Sequence, residues 1–221
     1  SVVSALIMPA AWLIFVGLDV PTSFTTNYID FITPGILVLT MLGAALQGGS
    51  LLIFDKILGF LNKFLALPAP RESILFGKIF FITTRGLLQA TVILVLAFLL
   101  GAALFSPAEL LLTYGILALF GLLISAFSTT VALHLSDHDA YAAFNAMVSM
   151  PFFFTSSALM PYDVMPAWLR PLAYINPVSY AIDSIRALQG GVILWARLGL
   201  LVSMAAVVIA VSVYRFRKVT L

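Results

Sequence analysis

"FDKILGFLNKFLALPAPRES" (residues 54–73) lies between two long apolar runs and resembles neither. It holds Asp55, Lys56, Lys63, Arg71 and Glu72 in a chain of which only 9% is charged. Its apolar residues Ile57, Leu58, Leu61, Phe64 and Leu65 recur at the spacing of one helical face. Lys56, Asn62 and Lys63 fall elsewhere on the wheel, and Pro68 and Pro70 stop the pattern. The spacing predicts a short amphipathic helix over 55–67, and the runs on either side decide what it is attached to.

Those runs demand an apolar solvent. The chain has 221 residues, 62% of them hydrophobic, and a mean hydropathy of +1.14. A soluble domain is about half apolar and about a quarter charged, so this is an integral membrane protein. The runs are continuous rather than alternating, which favours helices over a barrel. With no cysteine, a disulfide framework, a thiolate metal site and a cysteine nucleophile are all excluded. The net charge of +2 is weak evidence for nucleic acid, and where the charges sit makes it weaker. The opening "SVVSALIMPAAWLIF" has no basic leader and no initiator Met, and we expect residues to precede Ser1.

A span needs about 20 mainly apolar residues. Six are expected, at 2–17, 31–54, 79–104, 110–133, 142–160 (kinked at Pro151) and 193–214. A polar loop, "LDVPTSFTTNYID", follows the first, and a 32-residue segment at 160–191 separates the last two. Lys56, Lys63, Arg71, Lys78 and Arg85 cluster around the quoted loop, and Arg215, Arg217 and Lys218 mark the tail. Four spans separate the two clusters, so parity puts both on one side, which by the positive-inside rule is the cytoplasm. Asp137 then falls inside and Asp163 outside. With no internal repeat, residues 1–221 read as one membrane domain.

Motifs of soluble catalysis are missing: there is no GxxxxGK[ST], GxSxG or HExxH. "HLSDHD" (134–139) resembles a ligand set, since His134 and His138 at i, i+4 could share a metal with Asp137 or Asp139 if the helix continued. The plainer reading is a solvated turn at a span end. Polar residues within spans carry information because they are rare. Gln47, Gln89 and Asn145 either line a substrate path or hydrogen-bond neighbouring helices. Small residues at Ala44 and Gly48, and at Gly115 and Gly121, allow helices to approach closely.

The segment 160–191 is the most organised. Asn176 suits an N-cap, Pro177 a first helical residue and Gly190 a C′ position, so Pro177–Gln189 reads as a helix. Val178, Ile182, Ile185 and Leu188 share one face, with Ser179, Asp183 and Arg186 largely on the other, where Asp183 and Arg186 can pair. This helix and a shorter one in "PAWLRPLAYI" are expected to lie at the outer membrane surface, where Trp168 and Tyr174 suit the interface. A lid without substrate contact is the alternative.

The run "LMPYDVMPAWLRPLAYINPVSYAIDSIRALQGG" resembles the signature of the type-2 ATP-binding-cassette exporter permeases of the drug-resistance and nodulation-factor group. The matching positions are Pro161, Pro166, Trp168, Leu169, Asn176, Pro177, Ser179, Tyr180, Asp183 and Arg186. The quoted loop looks like the first cytoplasmic loop of that family. The resemblance covers nearly the whole chain, except that the basic amphipathic helix usual before the first span is not seen. It implies an all-α permease of six spans, with a cytoplasmic coupling helix between spans two and three and two short outer helices between spans five and six. It also implies work as a dimer with separate ABC-type ATPase subunits, in the cytoplasmic membrane of a prokaryote or a thylakoid-type membrane, both termini cytoplasmic. ATP and Mg would be held by the partner; this chain would bring no catalytic residue, metal or cofactor. Coupling to the ATPase would fall to Asp55, Lys56, Ile57, Leu61, Lys63, Phe64, Leu65, Arg71 and Glu72. A path lined by Gln47, Gln89, Asn145 and Phe152, Phe153 and Phe154 would suit an amphipathic or lipid-like substrate. A six-span channel, or an intramembrane metal enzyme built on residues 134–139, is the competing reading.

Overall fold

The computed structural model describes residues 2–19, 28–66, 70–103, 105–158 and 160–218, with the side chains of 2–5, 16–19, 28 and 65 excepted. Every regular element among them is helical: α1 (Val2–Asp19), α2 (Tyr28–Ile57), α3 (Phe60–Leu65), α4 (Arg71–Leu99), α5 (Pro107–His134), α6 (His138–Phe154), α7 (Arg170–Ile175), α8 (Pro177–Gln189) and α9 (Trp195–Arg217), with a 3₁₀ turn at Tyr162–Val164. Among the described residues four helices, α2, α4, α5 and α9, are long and apolar enough to cross a membrane. The expected spans over 2–17 and 142–160 correspond to α1 and α6, the latter only 17 residues long. Leu104 and the loop residues 20–27 lie outside the described residues.

α2 is the axis of the bundle. Its most apolar stretch is 72% buried, against 17% for α9, and it packs on α1, α4, α5, α6 and α8. Glycine permits the closest crossings. A Cβ at Gly48 would stand 2.3 Å from Ile82 of α4, and one at Gly121 would stand 2.1 Å from Met41 of α2. Gly115, expected to serve likewise, meets nothing within 4 Å.

Ion pairs and caps sort the helix ends. At one end Lys78 of α4 pairs with Asp55 of α2, and Arg217 of α9 pairs with Glu72 of α4. There Lys56 reaches the last carbonyls of α5, and His138, the first residue of α6, packs on Phe54 at 4.3 Å. The quoted loop and the basic tail therefore share one end of the bundle. At the far end the Asp30 carboxylate accepts from the Ala103 N–H at 2.6 Å.

Two expectations need correction. The helix predicted over 55–67 is two pieces: α2 runs on through Asp55, Lys56 and Ile57, and the chain turns at Gly59 (φ 72) into the six-residue α3. Gly59 bears the left-handed geometry that ends the helix, which the apolar periodicity concealed. Pro68 lies outside the described residues, and Pro70 caps α4, whose first turn takes up Arg71 and Glu72. α4 thus starts eight residues before the expected 79. The second correction concerns α8, whose polar face is not solvated. Val178, Ser179, Ala181, Ile182, Asp183 and Ile185 are all buried, because α8 packs against α2, α5 and α9 and plugs the far end.

Candidate functional site

Local chemistry fixes the plug. Asn176 Oδ1 accepts from the Val178 N–H at 2.9 Å, with Pro177 as the first helical residue. At the other end the left-handed residue is Gly191 (φ 72) rather than Gly190. The Gly191 and Val192 N–H groups donate to Leu188 and Ala187 carbonyls, both at 2.9 Å, which is the Schellman arrangement. Asn176 also serves α6: its Nδ2 donates to the Phe152 carbonyl at 3.0 Å and to Thr155 Oγ1 at 2.9 Å. One side chain thereby closes one helix and opens another. Asn176→Ala is expected to cost about 1 kcal/mol for the lost cap and about 1–3 kcal/mol more for the acceptors of the amide. Asn176→Asp, which keeps the cap oxygen, should fall between parent and alanine variant in thermal unfolding in detergent.

Inside the plug, polar groups meet polar groups. Asp183 accepts from Ser157 Oγ at 2.8 Å and from Tyr162 Oη at 2.6 Å. The expected ion pair with Arg186 forms at 3.9 Å, and Arg197 of α9 stands closer still. Arg186 instead donates to the carbonyls of Phe31 (3.1 Å), Ser157 (2.7 Å) and Ala158 (3.1 Å). Its guanidinium lies 3.8 Å from the centre of the Phe31 ring. Leu169 is buried, Tyr180 half-buried, and Trp168 exposed. Pro161 precedes the 3₁₀ turn, and the Pro166 carbonyl accepts from the Leu169 N–H at 2.9 Å.

Beside the plug α1, α2 and α6 border a half-open cavity of about 380 Å³, lined by Met8, Trp12, Leu39, Gln47, Phe153 and Phe154 among others. Trp12 meets Phe153 edge-on at 5.6 Å. Walls that are mainly aromatic and aliphatic, with the Gln47 amide and the Ser149 hydroxyl among them, suit an apolar body carrying a small polar group. Of the residues expected to form a path, Gln47, Phe153 and Phe154 come together here. Gln89 is buried on α4 at 1% exposure, Phe152 packs into the core, and Asn145 is half-buried on α6. None of these three lines the cavity.

At the basic end the expected coupling face is rearranged. Leu61 is 4% exposed and belongs to the core. Asp55 and Lys56 are engaged with α4 and α5 rather than with a rim. Among the described residues Ile57, Leu58, Phe60 and Phe64 stand exposed beside Phe54, with Lys63 over the Phe60 ring. The Leu65 side chain lies outside those described.

The pair His134 and His138 does not share a helix. Leu135 ends α5 in extended backbone, and Asp137 caps α6 by accepting from the Ala140 N–H at 2.7 Å. That hydrogen bond, first among its causes, holds the Asp137 carboxyl below the usual range. His134 Nδ1 lies 3.0 Å from the Thr130 carbonyl oxygen. Among the described residues no three His, Asp or Glu side chains are grouped to hold a metal, and the metal-enzyme alternative loses its geometry.

The first 189 residues match the model of the ABC-2 type transporter family. The chain belongs to that family. The matched region ends with the last residue of α8, so the plug is part of the ABC-2 domain. Over 195 residues the chain is 35% identical to ycf38 of Cyanophora paradoxa, named as a transport permease, covering 85% of this chain and 67% of the relative. DrrC of Mycobacterium tuberculosis, named as a doxorubicin resistance ABC transporter permease, is 27% identical over 220 residues, 96% of this chain and 79% of DrrC. Nodulation protein J of Rhizobium leguminosarum bv. viciae is 24% identical over 162 residues, 72% of this chain and 62% of that protein. The chain spans about two thirds of the length of the ycf38 relatives. Sequence reasoning about this ABC-2 chain missed Arg197, Tyr162 and Ser157 in the plug, and Trp12 in the cavity. Arg197 carried a signal, being a lone charge three residues into α9.

Proposed function

We propose that the chain is the membrane-spanning subunit of an ATP-driven exporter, its residues forming one membrane domain. α1 and α6 complete six spans with the four longer helices; at about 1.5 Å per residue each is roughly 26 Å long, close to the hydrocarbon thickness. The basic end faces the cytoplasm. A separate ABC-type ATPase binds ATP and Mg there and pushes on the exposed apolar face of α3, and a second copy of the permease completes the transporter. The substrate is amphipathic or lipid-like and passes the cavity between α1, α2 and α6 on its way outward.

ABC-2 membership carries this reading, and the aromatic cavity with its single amide supports the substrate class. Two measurements test it. Reporters at Asp137 and Asp163 should lie on opposite sides of the membrane, Asp137 inside; finding both on one side refutes the span map. Affinity purification of the chain from its own membranes should bring an ABC-type ATPase with it, and its absence under conditions that retain the folded chain contradicts the exporter.

A further inference from the structure

Lys56 sits in the last turn of α2, yet its ammonium serves another helix. Nζ donates to the carbonyls of Leu135 at 2.6 Å, Leu133 at 3.0 Å and Ala132 at 3.4 Å. These are carbonyls at the C-terminal end of α5, where the helix has no N–H left to offer them and its dipole favours a cation. An ammonium has three hydrogens, and here three carbonyls face it. The neighbouring Asp55 is bound to Lys78 of α4, so α2 is held against α4 and α5 within two consecutive residues.

The two ends of this link differ in what they touch. On one side, two residues separate Ile57, the end of α2, from α3, whose Leu61 is sunk in the core. On the other side, Leu135 ends α5 and Asp137 caps α6. Tyr141 of α6 is fully buried and donates to the Leu46 carbonyl of α2, while Ser128 Oγ lies 2.7 Å from its hydroxyl. Further along α6, Phe153 and Phe154 form the cavity wall. A displacement of α3 therefore has a continuous route to that wall, and Lys56 Nζ is one of the joints at which it crosses from α2 to the α5–α6 turn, beside the packing of Leu61 in the cluster that holds Tyr141.

We propose that Lys56 is a positioning residue that carries movement of α3 to the α5–α6 turn and so to the wall of the cavity. This rests on the reading in which an ATPase acts at α3. Lysine is suited to the task because its three rotatable donors hold carbonyls without a fixed plane and can follow a small shift.

The chain has no cysteine, so single labels can be introduced cleanly, at Leu58 beside α3 and at Met147 on the exposed side of α6. The permease with its copurified ATPase is placed in lipid nanodiscs, and fluorophores at each position are read before and after Mg-ATP. In the parent both labels should respond. In Lys56→Met the ATPase should still copurify within about twofold and the Leu58 label should respond, while the Met147 response falls about tenfold. Lys56→Arg, which can donate to the same carbonyls, should restore at least half of it. An undiminished Met147 response in Lys56→Met overturns the relay. Loss of both responses, or of the ATPase, also overturns it, because Lys56 would then be a docking or folding residue. A parent that binds no ATPase sinks the exporter reading and the relay together.

Discussion

Asp183→Ala should lower the stability of the protein by about 3–5 kcal/mol, the range for removing one partner of a buried ion pair. The carboxylate is 10% exposed and gathers Arg197, Ser157 and Tyr162 onto α8. Without it the hydroxyls of Ser157 and Tyr162 lose their acceptor, and Arg197 keeps a cation with no counter-charge. Arg186 suffers less, since three backbone carbonyls hold it independently. Arg197 is 28% exposed and can turn partly to water, which puts the expected value at the low end of the range. Arg197→Met in the Asp183→Asn background should cost less than the sum of the two single changes, because the groups are coupled. Unfolding measured in detergent decides; a loss under about 1 kcal/mol for Asp183→Ala would mean that the plug does not depend on its carboxylate.

Gly49→Ala should be nearly as damaging although it adds one methyl group. That Cβ would stand 2.2 Å from Tyr141 Oη and 2.3 Å from Cζ. The tyrosine has no room to retreat, being fully buried and bound to the Leu46 carbonyl and to Ser128. The Gly49 N–H itself donates to Ser128 Oγ at 2.9 Å. Overpacking costs about 1–3 kcal/mol, and each buried polar group left without its partner adds about 1–3 kcal/mol; about 3 kcal/mol is expected. The same change at Gly115 of α5 meets nothing within 4 Å and should stabilise by up to about 1 kcal/mol through helix propensity. Thermal melts of the two variants should move in opposite directions.

Local signals read well in this sequence and long-range ones did not. The bounds of α8 were legible because Asn176 and Pro177 open a helix by chemistry confined to a few residues. Its depth was not. Ser179, Asp183 and Arg186 have the pattern of a solvated face, and only the fold supplies Ser157, Tyr162, Arg197 and the Phe31 carbonyl as their partners. At the basic end, periodicity carried the predicted helix across Gly59, whose left-handed turn has no hydrophobic signature. The inward role of Lys56 depends on a helix end about eighty residues later. Gln47 drew notice as an amide in an apolar span, and it lines the cavity with Phe153 and Phe154; Gln89 stood out equally and is buried on α4.

The central claim is that this chain moves an amphipath across a membrane using ATP hydrolysed on a separate subunit. Reconstitution into vesicles tests it directly, with a fluorescent amphipathic dye on the side of the basic end. Dye should accumulate on the opposite side only when the chain, its ATPase and Mg-ATP are all present. Accumulation with the chain alone, or ATP hydrolysis by the chain without its partner, would contradict the account.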